Sequence, residues 1–260
     1  VLQEEATTTT TTGPTERRTT TRHVDLGCGV GSVLLFVAWA AARAGLPYRG
    51  VGIEAQEDSA GLARRSIRWN GVSASLDVVG GDFRDDEKIL QLDLEKDGFL
   101  LVTGTPPYFP VDAGAYSTSY GSLPSCDESA KARYEFRGGV DAYCRAAARL
   151  LRGRPQRGRF VCCEGGLPLN RDRVAEAARR SGLRILRSRL VVGRQGKPAL
   201  FGVWVMMASS AASEQEEEVL PPLVVRDRHG QRTPEYVTLL RNMAMLNNSS
   251  AVTTPSSPRE

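Results

Sequence analysis

Val24-Asp25-Leu26-Gly27-Cys28-Gly29-Val30-Gly31-Ser32 sets glycines at alternate positions after a short apolar run and before a helical pattern. Glycine lets a backbone bend sharply and approach a ligand closely, so the stretch reads as a strand, a ligand-facing turn and the start of a helix. Asp25, just ahead of the turn, is suited to orienting the loop or an amino group of whatever sits on it.

Outward from this turn, apolar strand-like runs alternate with helical patterns, the signature of a parallel sheet with crossover helices. Strands are expected at 23–27, 49–54, 75–81, 98–104, 158–164, 183–192 and 199–207, and helices at 32–44, 58–70, 131–152 and 170–181. In the third helix Val140, Tyr143, Ala147, Leu150 and Leu151 recur at three- and four-residue spacing, giving one core-facing stripe. Only Gly193 to Pro198 separate the last two strands, too few residues for a crossover, so these two should pair antiparallel. The expectation is an α/β fold: a seven-stranded, mostly parallel sheet with one antiparallel strand and helices on both faces.

The main domain is expected over 23–207. Threonine tracts at 7–12 and 19–21 carry no hydrophobic period, so 1–22 reads as disordered. Residues 208–219 read as an exposed linker, 220–246 as a short strand (222–226) and helix (234–246), and 247–260 as a loose tail.

The turn has the spacing Gly-x-Gly-x-Gly, with Ser32 where a dinucleotide fingerprint would carry a third glycine or an alanine, which favours S-adenosylmethionine over NAD. Val51-Gly52-Ile53-Glu54 then ends the second strand in an acid, suited to a ribose diol. Gly80-Gly81-Asp82-Phe83 closes the third with an acid and an aromatic, suited to an adenine amine and ring. Asp25, Gly27, Gly29, Gly31, Glu54, Asp82 and Phe83 are therefore the candidate cofactor residues.

After the fourth strand comes Thr103-Gly104-Thr105-Pro106-Pro107-Tyr108-Phe109-Pro110. Two prolines hold the backbone rigid, and the aromatic offers a stacking face. The lone pair of a planar amine is delocalised, and acceptors drawing on its two N–H bonds, here the Thr105 hydroxyl and the Pro106 carbonyl, push it toward a reactive geometry. Methyl transfer then needs mainly alignment. Thr105, Pro106, Pro107 and Tyr108 are the candidate catalytic residues, with Tyr108 stacking on an extruded base.

Gly27 to Gly31, Glu54, Asp82 and Thr105 to Phe109 resemble the Rossmann-like class I methyltransferases with an Asn-Pro-Pro-Tyr signature. With Leu223-Val224-Val225-Arg226-Asp227 and Thr233-Pro234-Glu235-Tyr236, the chain is most similar to the bacterial tRNA(Val) adenine N6-methyltransferase group, over roughly residues 24 to 246. The resemblance implies S-adenosylmethionine as cofactor and N6-methylation of an adenine in tRNA or other RNA. Family members carry asparagine or aspartate where this chain has Thr105. Two alternatives stay open: methylation of a glutamine amide in a protein, and a catalytically impaired scaffold that binds S-adenosylmethionine or RNA.

The net charge of +4 hides an asymmetry: from Arg145 to Lys197 fifteen Lys and Arg stand against three acids, leaving that stretch at +12 and the remainder at −8. Such a block could track a phosphate backbone or form a solvated arginine-rich surface. The five cysteines lack Cys-x-x-Cys spacing, and only two histidines occur, so no metal is expected. An odd cysteine count with one adjacent pair fits a reducing compartment, the cytoplasm or an organelle. No apolar run is long enough to span a membrane. At 260 residues one catalytic domain is expected, and a monomer. The chain opens at Val1, and targeting is not read from it.

Overall fold

A computed structural model of the chain describes residues 20–85, 92, 100–108, 135, 138–152, 157–165, 171–209, 216–243 and 245. In chain order the elements are β1 (Thr21–Leu26), α1 (Ser32–Arg43), β2 (Tyr48–Glu54), α2 (Glu57–Trp69), β3 (Leu76–Gly80), β4 (Leu100–Gly104), α3 (Val140–Leu150), β5 (Gly158–Gly165), α4 (Arg171–Arg180), β6 (Leu183–Val192), β7 (Ala199–Ala208), β8 (Glu218–Val224) and α5 (Pro234–Asn242).

All eight strands join one sheet in the order β3-β2-β1-β4-β5-β7-β6-β8. β1 to β5 run parallel to one another, β6 and β8 pair in parallel, and β7 runs antiparallel to both of its neighbours, β5 and β6. β4 is central and buried along its whole length, and its apolar Leu-Leu-Val run is what burial on both faces demands. One core packs Val24, Leu26, Ile53, Val102 and Phe160 under α3 and α4; the other packs Leu34, Ala60, Ala63, Ile67, Leu76 and Val78 under α1 and α2. In α2 the buried Ala60, Ala63 and Ile67 follow the helical repeat.

Successive connections run outward from β1 through β2 to β3, and then on the other side from β4 to β5. The order therefore reverses between β1 and β4, and the crevice beyond their carboxyl ends is where ligands of such sheets bind.

The sheet has eight strands rather than the expected seven. The eighth pairs parallel with β6 at the edge of the same sheet and starts at Glu218, inside the stretch read as linker. Pro221 and Pro222, which argue against a central strand, are tolerated because β8 has a neighbour on one side only. Of the stretch 1–22, Thr21 and Arg22 belong to β1 and 1–19 lie outside the described residues, as do 210–215 of the linker and the tail 247–260. The helix expected over 131–152 is seen as α3, preceded by extended Gly139; residues 131–134 and 136–137 lie outside the described set. The helix expected over 234–246 ends at Asn242. Its start is well specified: Pro234 opens it, and the Thr233 hydroxyl accepts from the Tyr236 N–H at 3.3 Å.

Candidate functional site

Between β1 and α1 the chain turns through Gly27, Gly29 and Gly31, whose φ angles of 62°, 55° and 85° are ones that side chains with a Cβ rarely adopt. The turn is tied to the second strand by two bonds. The Cys28 N–H donates to the Ile53 carbonyl at 3.1 Å, and the Gly29 N–H donates to Glu54 Oε2 at 2.8 Å. Glu54 Oε1 in turn accepts from the Gln56 N–H at 2.8 Å, so one buried carboxylate organises both the glycine turn and the entry to α2. Each of its oxygens keeps lone-pair capacity for a further donor.

These groups line a cavity of about 320 Å³ together with Val30, Ala55, Ser59, Asp82, Phe83, Thr105, Pro107, Gly138 and Tyr143. Gly27, Gly29, Glu54, Asp82, Phe83, Thr105 and Pro107, picked out from sequence, thus meet at one crevice although up to 80 residues separate them. The others stand behind it. Gly31 packs on Ala63 of α2, and Pro106 is buried. Tyr108 lies over Gly165 at the end of β5 and has its hydroxyl pKa raised, mainly by burial, then by the nearby Cys163 and Glu164. Asp82 is gripped by Arg84, whose backbone N–H and Nε donate to Oδ1 at 2.9 Å. Phe109 lies outside the described residues.

Tyr143, read from sequence only as core, forms a wall of the cavity. A Cβ on Gly27 would stand 2.6 Å from its hydroxyl and one on Gly104 would stand 2.5 Å from Cδ1, so both glycines make room for its ring. The Phe83 ring packs on it, centroids 4.5 Å apart. Gln56 and Ser59 were also missed, since nothing in a lone Gln or Ser at a helix start marks a ligand. Gln56 Oε1 is buried with no hydrogen-bond partner among the described residues, an acceptor open to a ligand.

Beneath the turn, Asp25 Oδ1 accepts from the Thr103 hydroxyl at 2.6 Å, across the β1–β4 register. Thr103 Oγ1 is 2.7 Å from His23 Nε2, and His23 Nδ1 is 2.6 Å from the Tyr48 hydroxyl. Thr103 spends its one proton on Asp25 and so accepts from His23 Nε2–H, which leaves Nδ1 to accept from Tyr48. Burial holds the His23 pKa down to about 3, which keeps the ring neutral. Burial also raises Asp25 to about 6, against the Thr103 hydrogen bond and with the help of the Glu54 charge.

Glu164, 1% exposed on β5, has Oε1 3.6 Å from Arg173 Nη1, and its Oε2 has no partner among the described residues. Arg173 also pairs with Glu135. Burial raises the Glu164 pKa to about 8, against the pull of Arg173 and with the push of Glu135.

The basic block is not a bare stripe. Arg171, Arg173, Arg180, Arg187 and Arg189 pair with Glu217, Glu135, Asp141, Glu218 and Glu235, all acids from outside the block. Much of the +12 is therefore met by the acidic remainder of the same chain.

Among solved structures the chain is similar to a predicted O-methyltransferase from Agrobacterium tumefaciens, at 17% identity over 88% of this chain and 92% of that one, with a TM-score of 0.56. It is likewise similar to a Listeria monocytogenes protein assigned to the class I S-adenosylmethionine-dependent methyltransferases, at 12% identity over 88% and 65% of the two chains, with a TM-score of 0.54. At such identities the likeness is one of fold, and the fold is the Rossmann-like one of class I methyltransferases. No family model matches the sequence, and no curated protein is similar to it.

Proposed function

We propose that the chain is an S-adenosylmethionine-dependent methyltransferase acting on a planar nitrogen, the exocyclic amine of an adenine in tRNA or other RNA. One observation carries this reading: Gly29, Glu54 and Gln56 on one side and Thr105 and Pro107 on the other line a single cavity at the point where the strand order reverses. Among the described residues nothing lies within 4 Å of where a Cβ on Gly29 would point, so a ligand can lie against the turn.

The donor set fits the cofactor. Glu54 has spare lone pairs for a ribose diol, and the orphaned Gln56 acceptor can take a further hydroxyl or amine hydrogen. Asp25 and Glu54 give the region a negative potential that suits a ligand with a sulfonium and an ammonium. Phe83 and Tyr143 offer an apolar flank for a purine. When bound, S-adenosylmethionine supplies a methyl group on a positively charged sulfur.

The work of the protein is then alignment and electrostatics. The Thr105 hydroxyl and the Pro106 carbonyl accept the two N–H bonds of the acceptor, which localises the lone pair and aims it along the transfer line. The double proline keeps both acceptors from rotating away. Tyr108, packed on Gly165, supports the loop that carries these acceptors, and the methylated nitrogen gives up one of its hydrogens as a proton to solvent.

A second reading, a glutamine amide in a protein, has an observation of its own: the internal pairing of five arginines removes much of the charge that would favour RNA. Both are tested by incubating the protein with methyl-labelled S-adenosylmethionine and separate pools of RNA and protein, followed by mass spectrometry. Label recovered in RNA as N6-methyladenosine is the expected result. Label in protein glutamine alone would move the assignment to the second reading, and label in neither pool would end both.

A further inference from the structure

The buried row Tyr48–His23–Thr103–Asp25 crosses three adjacent strands and ends directly under the glycine turn. Its direction is set: hydroxyl to imidazole, imidazole to hydroxyl, hydroxyl to carboxylate, each donor pointing toward Asp25. His23 and Asp25 are two residues apart on β1 and so share one face of the sheet, and Thr103 faces Asp25 in register on β4. A core of this kind could as well hold aliphatic side chains at 23 and 103. A polar row there costs desolvation that only full pairing offsets, and every member is paired.

We infer that Thr103 and His23 are positioning residues for cofactor binding: they keep the Asp25 carboxylate ionised, so that a buried negative charge stands under the cationic ligand. The inference rests on the proposed cofactor. It explains how a carboxyl only 3% exposed, with Glu54 as a second acid close by, stays charged near neutral pH. The titratable groups around Asp25 are Glu54 and Tyr48 on β2, Cys28 in the turn, Tyr143 on α3 and His23 on its own strand; burial keeps His23 neutral and holds Cys28, Tyr48 and Tyr143 protonated. Among these neighbours Thr103 supplies the stabilising hydrogen bond, so removing its hydroxyl should let the proton return to Asp25 at higher pH.

The test uses the isosteric Thr103→Val and the hydroxyl-retaining Thr103→Ser in the full chain. Carboxyl NMR of the ligand-free protein reads the Asp25 titration, and calorimetry reads S-adenosylmethionine affinity between pH 5.5 and pH 8.5. In the wild type, affinity should fall as pH drops through about 6, where Asp25 takes up its proton. In Thr103→Val the Asp25 midpoint should rise toward 7, leaving the variant roughly three- to tenfold weaker than wild type near pH 6.5 and equal to it above pH 8. Thr103→Ser should restore both curves. An unmoved Asp25 titration in a folded Thr103→Val protein, or a loss of affinity equal at every pH, overturns the inference. A wild type that binds no S-adenosylmethionine at any pH would instead remove the cofactor reading, while the NMR titration would still report on the row itself.

Discussion

On the wall proposed for the cofactor, Glu54 is held by the backbone N–H groups of Gly29 and Gln56, and these residues lie at the ends of β1 and β2. On the wall proposed for the acceptor, Thr105 and Pro107 leave β4, Tyr108 rests on Gly165 of β5, and the supporting charges come from Glu135, Glu164 on β5 and Arg173 on α4. One wall is short-range backbone geometry around a carboxylate. The other is a set of side chains from distant elements around an incompletely paired acid. A backbone-built wall tolerates change in everything except its glycines and its anchor, whereas the side-chain wall can be retuned one residue at a time.

The largest contrast should come from Thr105→Val, which removes one acceptor from the substrate side. Methyl transfer should slow by roughly a hundredfold, with S-adenosylmethionine affinity unchanged, measured by single-turnover kinetics beside calorimetry. Equal losses in both would mean that the two walls are not separable. Next is Gly104→Ala, where the new Cβ would meet the Tyr143 ring at 2.5 Å. Overpacking of this kind should cost about 2 kcal/mol in thermal unfolding. No change would mean that Tyr143 does not form the wall.

A smaller effect should follow from Glu164→Gln. The folded-state pKa of Glu164 is raised from 4.5 to about 8, so between those values the native state binds more protons than the unfolded one and stability falls as pH rises. The amide cannot ionise. Wild type and variant should therefore diverge as pH rises from 5 to 9, with the variant the more stable at pH 9. A variant less stable than wild type at pH 9 would show that the carboxylate is ionised and well paired with Arg173.

The same contrast explains what the sequence made legible. The glycine turn, Glu54 and the alternation of strands and helices are local patterns, and they lead directly to the fold and to one wall of the cavity. β8 was read four residues late because Pro221 and Pro222 argue against a strand, and that argument lapses only at an edge. Tyr143 looked like core because its spacing on α3 is that of a buried stripe; that it lies across Gly27 and Gly104 depends on how α3 docks on the sheet. The His23–Thr103–Asp25 row needs the register of β1 against β4, which single-strand patterns do not carry. Counting charge from Arg145 to Lys197 could not reveal the pairing of Arg171, Arg187 and Arg189 with Glu217, Glu218 and Glu235, since those acids lie 31 to 46 residues away.

The most direct measurement is calorimetric titration of S-adenosylmethionine into the wild type and into Glu54→Ala. Saturable one-to-one binding by the wild type, weakened by about 1.5–3 kcal/mol when the carboxylate is removed, is the expected result. Wild-type binding left unchanged by Glu54→Ala, or no binding by either protein, would contradict a cofactor lying on the glycine turn.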